Sequence, residues 1–97
     1  MKLRFTPRAV GNIAEIADYL RPRNPVAAER VRAAIYDTLQ TLLLFPHVGR
    51  RQSVEGVRKI VTRRYSYLIY YTIDDTANEI TVLAEKHPAR ERDYTDR

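Results

Sequence analysis

Apolar residues change their spacing twice along this chain, from alternation to a helical period and back, and each change marks a new kind of element. Leu3 and Phe5 alternate with polar neighbours over Lys2–Phe5, as in a short strand. Val10, Ile13, Ile16, Ala17 and Leu20 then recur at helical spacing and form one apolar stripe. Thr6-Pro7 marks that helix's start, because threonine caps free N–H groups and proline suits the first helical position. Arg21-Pro22-Arg23-Asn24-Pro25 is expected to break it, leaving about five residues between two helices. Asn24-Pro25 repeats the cap-then-proline start. The second helix should run from Pro25 to Leu44, with Ala28, Val31, Ile35, Leu39 and Leu42 as its buried stripe and Ala27, Ala34 and Thr38 widening it. Pro46 stops it, and Gly49 reads as a turn residue needing positive φ.

Beyond Gly49 the period becomes two. Over Val57–Val61 basic and apolar residues alternate, as in a strand with one wet face. Tyr65, Tyr67, Ile69, Tyr71 and Ile73 fall on one face of the next run; Ser66, Leu68, Tyr70 and Thr72 take the other. Large side chains on both faces predict a central strand covered on each side. A polar break, Asp74-Asp75-Thr76-Ala77-Asn78, separates this run from Glu79–His87, which gives an antiparallel meander. The order is β-α-α-β-β-β: an α+β domain over residues 1–97, with a helical hairpin packed on a mostly antiparallel sheet and 88–97 as a flexible tail or docking segment. The pattern does not fix where the first strand joins the sheet.

Charge sharpens this picture. The net charge is +5, and the stretch from Arg50 to Tyr65 holds Arg50, Arg51, Arg58, Lys59, Arg63 and Arg64 against Glu55 alone. Such a local field attracts a polyanion or an acidic protein. The alternative is a strand edge charged against aggregation. The absence of cysteine excludes disulfides and thiolate metal sites. No signal-like or membrane-spanning apolar segment stands out, so a soluble cytoplasmic protein is expected.

Candidate chemistry is sparse. His47 reads as a loop residue, and His87, at a strand end, is a weak catalytic candidate. No carboxylate–histidine cluster has metal-ligand spacing, and no glycine loop cradles a phosphate, so neither metal nor cofactor is expected. The strand tyrosines favour packing over base stacking.

In order and spacing, the chain resembles the RelE/ParE superfamily of bacterial toxins from type II toxin–antitoxin pairs. The resemblance rests on Asn24-Pro25-Val26-Ala27-Ala28, Leu43-Leu44-Phe45-Pro46-His47-Val48-Gly49-Arg50, Val57-Arg58-Lys59, Tyr67-Leu68-Ile69-Tyr70-Tyr71 and Val82-Leu83-Ala84-Glu85-Lys86-His87-Pro88-Ala89-Arg90. It implies a growth-inhibiting protein neutralised by a cognate antitoxin, which alone would contact operator DNA. ParE-like members inhibit DNA gyrase by binding, whereas RelE-like members cut mRNA on the ribosome. A toxin-like scaffold serving only an autoregulatory complex is a third possibility.

Metal-independent RNA cleavage needs an activated 2′-OH, a stabilised phosphate and a protonated leaving oxygen. His87 or Glu85 would be acid or base, with Arg58, Lys59, Arg63, Arg64 and Arg90 on the phosphate. Many ribosome-dependent relatives carry an arginine where this chain has Tyr67, and Glu55 is the only carboxylate in the preceding loop. The nuclease set is incomplete, which favours the gyrase reading. Arg58, Lys59, Arg63, Arg64, His87, Arg90 and Arg92 are then the expected target contacts, and Val10, Ile13, Leu20 and Arg58 the antitoxin contacts.

Overall fold

Both helices start as their caps dictate. In the computed structural model, which describes residues 1–88, strand β1 (Lys2–Phe5) leads into α1 (Pro7–Arg23) and α2 (Pro25–Leu44). The Thr6 hydroxyl accepts from the Ala9 N–H at 3.1 Å and donates to the Leu83 carbonyl at 2.8 Å, so one residue caps α1 and ties it to the sheet. Asn24 caps α2 likewise, its side-chain oxygen accepting from the Ala27 N–H at 3.0 Å.

The expected five-residue break is a single residue. Helix α1 runs through Pro22, and only Asn24, at φ −158°, interrupts it. Pro22 has no N–H to give the Asp18 carbonyl one turn back, so the helix forgoes that one hydrogen bond and continues only to Arg23. The Arg23 side chain donates from Nη1 to the Tyr19 carbonyl at 2.8 Å, and the Asn24 N–H closes the helix on the Leu20 carbonyl at 2.7 Å.

The meander is β3 (Arg58–Val61), β4 (Leu68–Asp74) and β5 (Glu79–Lys86), preceded by a two-residue strand β2 (Arg50–Arg51) that the pattern did not predict. The sheet order is β1-β5-β4-β3-β2, with β1 parallel to β5 and every other pair antiparallel. Against the helices lie Tyr67, Ile69, Tyr71, Ile80 and Val82, packed with Ala9, Val31, Ile35, Leu39 and Leu42. The other face carries a smaller cluster of Val57, Leu68, Tyr70 and Ala84. The central strand is therefore covered on both sides, as its pattern required.

Three residues leave the expected pattern. Val10 is exposed, and Ala9 is the fully buried residue of α1. Tyr65 and Ser66 are not on a strand: at φ 69° and 53° they form the β3–β4 turn. Thr62 holds that turn, donating from its hydroxyl to the Arg64 carbonyl at 2.6 Å and accepting from the Tyr67 N–H at 3.0 Å. The alternation thus begins at Tyr67.

Gly49 does not adopt positive φ. Its requirement is space. The fully buried Tyr71 hydroxyl donates to the Pro46 carbonyl at 2.7 Å and accepts from the Gly49 N–H at 2.9 Å.

Candidate functional site

Folding divides the basic cluster between two ends of the sheet. Arg58 pairs with Tyr71, and its Nη1 donates to the Gly49 carbonyl at 2.8 Å and the His47 carbonyl at 3.1 Å. Its guanidinium is thereby fixed beside the loop leading to Arg50 and Arg51. Lys59 pairs with Tyr70 and so projects from the opposite face. Arg63 and Arg64 sit on the β3–β4 turn, about 15 Å along the strand from Arg58 at about 3.3 Å per residue. There they line an open groove with Arg30, Asp37, Thr38 and Thr41 of α2.

His87 lies at the Arg63–Arg64 end, because Leu68 at the start of β4 pairs with Lys86 at the end of β5. Its ring meets Tyr67 edge-on, with centroids 5.7 Å apart and planes at 89°. Tyr67 is a packed core residue there, its hydroxyl pushed above the usual phenol range by burial and then by nearby Tyr19. A pocket beneath α1 is lined by Asn12, Glu15, Tyr19, Tyr67, Glu85 and His87, among others. Glu85 is its buried element, 2% exposed, with neither carboxylate oxygen hydrogen-bonded among the described residues. Burial alone pushes its carboxyl up to about 7. Its backbone N–H donates to Asn12 Oδ1 at 3.1 Å.

A register shift places Glu85 there. Between Tyr70 and Tyr71 the ladder slips, so Ala84 rather than Leu83 pairs with Tyr70 and Glu85 pairs with Ile69 on the helix-facing side. Strict alternation from Val82 would have put Ala84 on that side and Glu85 on the other. No residue in β5 signals the bulge.

Glu55 is exposed at the far end, lining a recess with His47, Arg51, Arg58 and Asp75. His47 Nε2 lies 3.9 Å from Asp75 Oδ2, a loop contact. Glu55 and His87 are thus separated by at least the length of β3, about 10 Å. Ile13 and Leu20 line an apolar groove between the helices with Ile16, Ala17, Ala28 and Val31; Val10 is not among its lining residues. Arg90 and Arg92 lie outside the described residues. Among the described residues no group of three His, Cys, Asp or Glu is placed to hold a metal, and no helix is long and apolar enough to cross a membrane.

Residues 3–93 match the model of the ParE toxin of type II toxin–antitoxin system, parDE. The toxin-like protein Y4kP of Sinorhizobium fredii is 32% identical over 82 residues, 84% of this chain and 85% of that protein. A chain of the chromosomal ParDE toxin–antitoxin system from P. aeruginosa superposes with a TM-score of 0.75 at 22% identity, covering 90% of this chain and 95% of its own. A chain of the E. coli RelBE toxin–antitoxin complex gives 0.63 at 19% identity, covering 92% and 98%.

Proposed function

Because this chain belongs to the family of ParE toxins of type II toxin–antitoxin systems, we propose that it is neutralised in the cytoplasm by a cognate antitoxin and inhibits DNA gyrase by binding. The observation carrying the choice of gyrase is that the candidate nuclease groups do not all converge: only Glu85 and His87 share a pocket. Glu55 and His87 stand at opposite ends of β3, Tyr67 is packed into the core, and Arg58 is engaged by loop carbonyls. An in-line cleavage needs acid, base and phosphate-stabilising groups within hydrogen-bond reach of one phosphate. Each group removed from such a site typically costs about 10²–10³ in rate.

Binding needs less. Arg63 and Arg64 on the turn, with Arg30 across the groove, present exposed cations to an acidic surface, and His87, Arg90 and Arg92 extend the proposed target contact. Reversing Arg63 and Arg64 to glutamate should weaken gyrase inhibition about tenfold at low salt, with a smaller difference at high salt. Equal inhibition at both salt concentrations would remove the turn from the target surface.

The apolar groove lined by Ile13 and Leu20 suits an antitoxin helix, with Val10 and Arg58 as outer contacts. A partner folding onto both should bury more than about 2,000 Å². Expression alone should arrest bacterial growth and antitoxin co-expression restore it. The deciding experiment sets purified protein against gyrase supercoiling and against mRNA on programmed ribosomes. Supercoiling inhibition without mRNA cutting is expected. One observation favours mRNA cleavage instead: Glu85 and His87 share a pocket. Cutting abolished by His87→Ala would establish that reading, and inactivity in both assays would leave a scaffold.

A further inference from the structure

Burying a carboxylate with both oxygens unpaired is costly, and a fold that does so leaves two strong acceptors waiting for a donor. Glu85 is in that state among the described residues, in a pocket walled by the rings of Tyr19, Tyr67 and His87. We propose that this pocket receives one arginine guanidinium presented by the antitoxin, an assignment whose partner half rests on the reading above.

The chemistry narrows the occupant. Two carboxyl groups, Glu15 and Glu85, line the pocket against the single ammonium of Lys86, which disfavours an anion. An apolar group would leave both oxygens bare. An ammonium is a point charge, whereas the planar guanidinium offers parallel N–H groups matching both oxygens and stacks on aromatic rings. Tyr19 already holds a guanidinium in this way, with Arg23 Cζ 4.0 Å from its ring centroid. Of the other charged groups, Lys86 also lines the pocket, but it pairs with Leu68, whose side chain packs on the far face of the sheet. No hydrogen bond joins it to either Glu85 oxygen, and His87 presents its ring to Tyr67.

The antitoxin is the source because the pocket and the apolar groove share a wall. Ile16 and Leu20 line both, so a helix lying in the groove passes the pocket's mouth.

The test follows the Glu85 side-chain carboxyl by ¹³C NMR in the full chain, with methylguanidinium chloride as probe and sodium chloride as control. At pH 8 a saturable shift is expected, absent in Glu85→Gln. Affinity should fall about tenfold at pH 6, because the carboxyl, raised to about 7, must be ionised to pair. A response equal to that of sodium chloride would overturn the site. A saturable response to guanosine monophosphate but none to methylguanidinium would make it a nucleobase pocket and also overturn it. A response appearing only after Arg90→Ala, Arg92→Ala and Arg97→Ala would show that this chain's own tail fills the pocket, contradicting the partner assignment. In the antitoxin complex the probe should no longer move Glu85; an undiminished response there would remove the antitoxin from the site. Failure to form any complex would sink the antitoxin reading and the partner half with it, while the free-chain titration would still decide the guanidinium site.

Discussion

Raising the pH from 4.5 to 8 should destabilise this protein by about 3 kcal/mol through Glu85 alone, and Glu85→Gln should abolish that loss. The carboxyl is buried without a hydrogen-bond partner among the described residues, and burial lifts it from 4.5 to about 7. Between those values the folded chain keeps the proton and the unfolded chain has released it. The unfolded state then binds fewer protons, so stability falls as pH rises and levels off above about 7. Most paired carboxylates act in the opposite sense, which makes this contribution separable. For a domain of this size the difference is roughly 15 °C in Tm between the variant's and the parent's pH response. Urea unfolding of both proteins at pH 4.5, 6 and 8 measures it. Parallel pH profiles would mean that Glu85 has a partner in solution.

Glu85 also marks where the sequence stops being informative. The elements were legible because their signals are local: Thr6 and Asn24 beside prolines fixed both helix starts, and the Tyr67–Ile73 alternation fixed a two-sided strand. Pro22 does not end α1 on its own, because it removes a single bond, to the Asp18 carbonyl, and the turn still closes through the Asn24 N–H on the Leu20 carbonyl. Tyr65 was misplaced because Thr62, three residues earlier, organises the turn through side-chain bonds that spacing does not reveal. The pocket was illegible for a stronger reason. Its floor depends on a one-residue slip between β4 and β5, and a slip of one reverses every later side chain. The basic cluster, contiguous in sequence, separates because β3 carries Arg58 and the Arg63–Arg64 turn to opposite ends.

The loop that seats Arg58 should fail most severely at its smallest residue. Gly49→Ala would place a Cβ 2.8 Å from Tyr71 Cε1 and 2.9 Å from the Lys59 carbonyl, closer than real Cβ atoms come. Neither neighbour can withdraw cheaply. Tyr71 is fully buried and hydrogen-bonded at its hydroxyl to Pro46 and Gly49, and the Lys59 carbonyl belongs to β3. Overpacking of this kind costs about 1–3 kcal/mol, and displacing the hydroxyl adds about 1–3 kcal/mol for each buried group left bare. A loss of about 3–5 kcal/mol is expected, a large share of the roughly 5–15 kcal/mol holding a typical domain together. Tyr71→Phe alone should cost about 2 kcal/mol, because the Pro46 carbonyl and Gly49 N–H lose their shared partner. The two changes must couple. With the hydroxyl gone, the added methyl meets one obstacle fewer, so Gly49→Ala should cost at least about 1 kcal/mol less in the Tyr71→Phe background. Denaturant unfolding of the four proteins completes the cycle. Strict additivity, or a Gly49→Ala cost below about 0.5 kcal/mol, would mean that the loop is not clamped by Tyr71. Because the Gly49 carbonyl also holds the Arg58 guanidinium, Gly49→Ala should weaken antitoxin binding wherever Arg58→Ala does, and Tyr71→Phe, which leaves that carbonyl in place, should weaken it less.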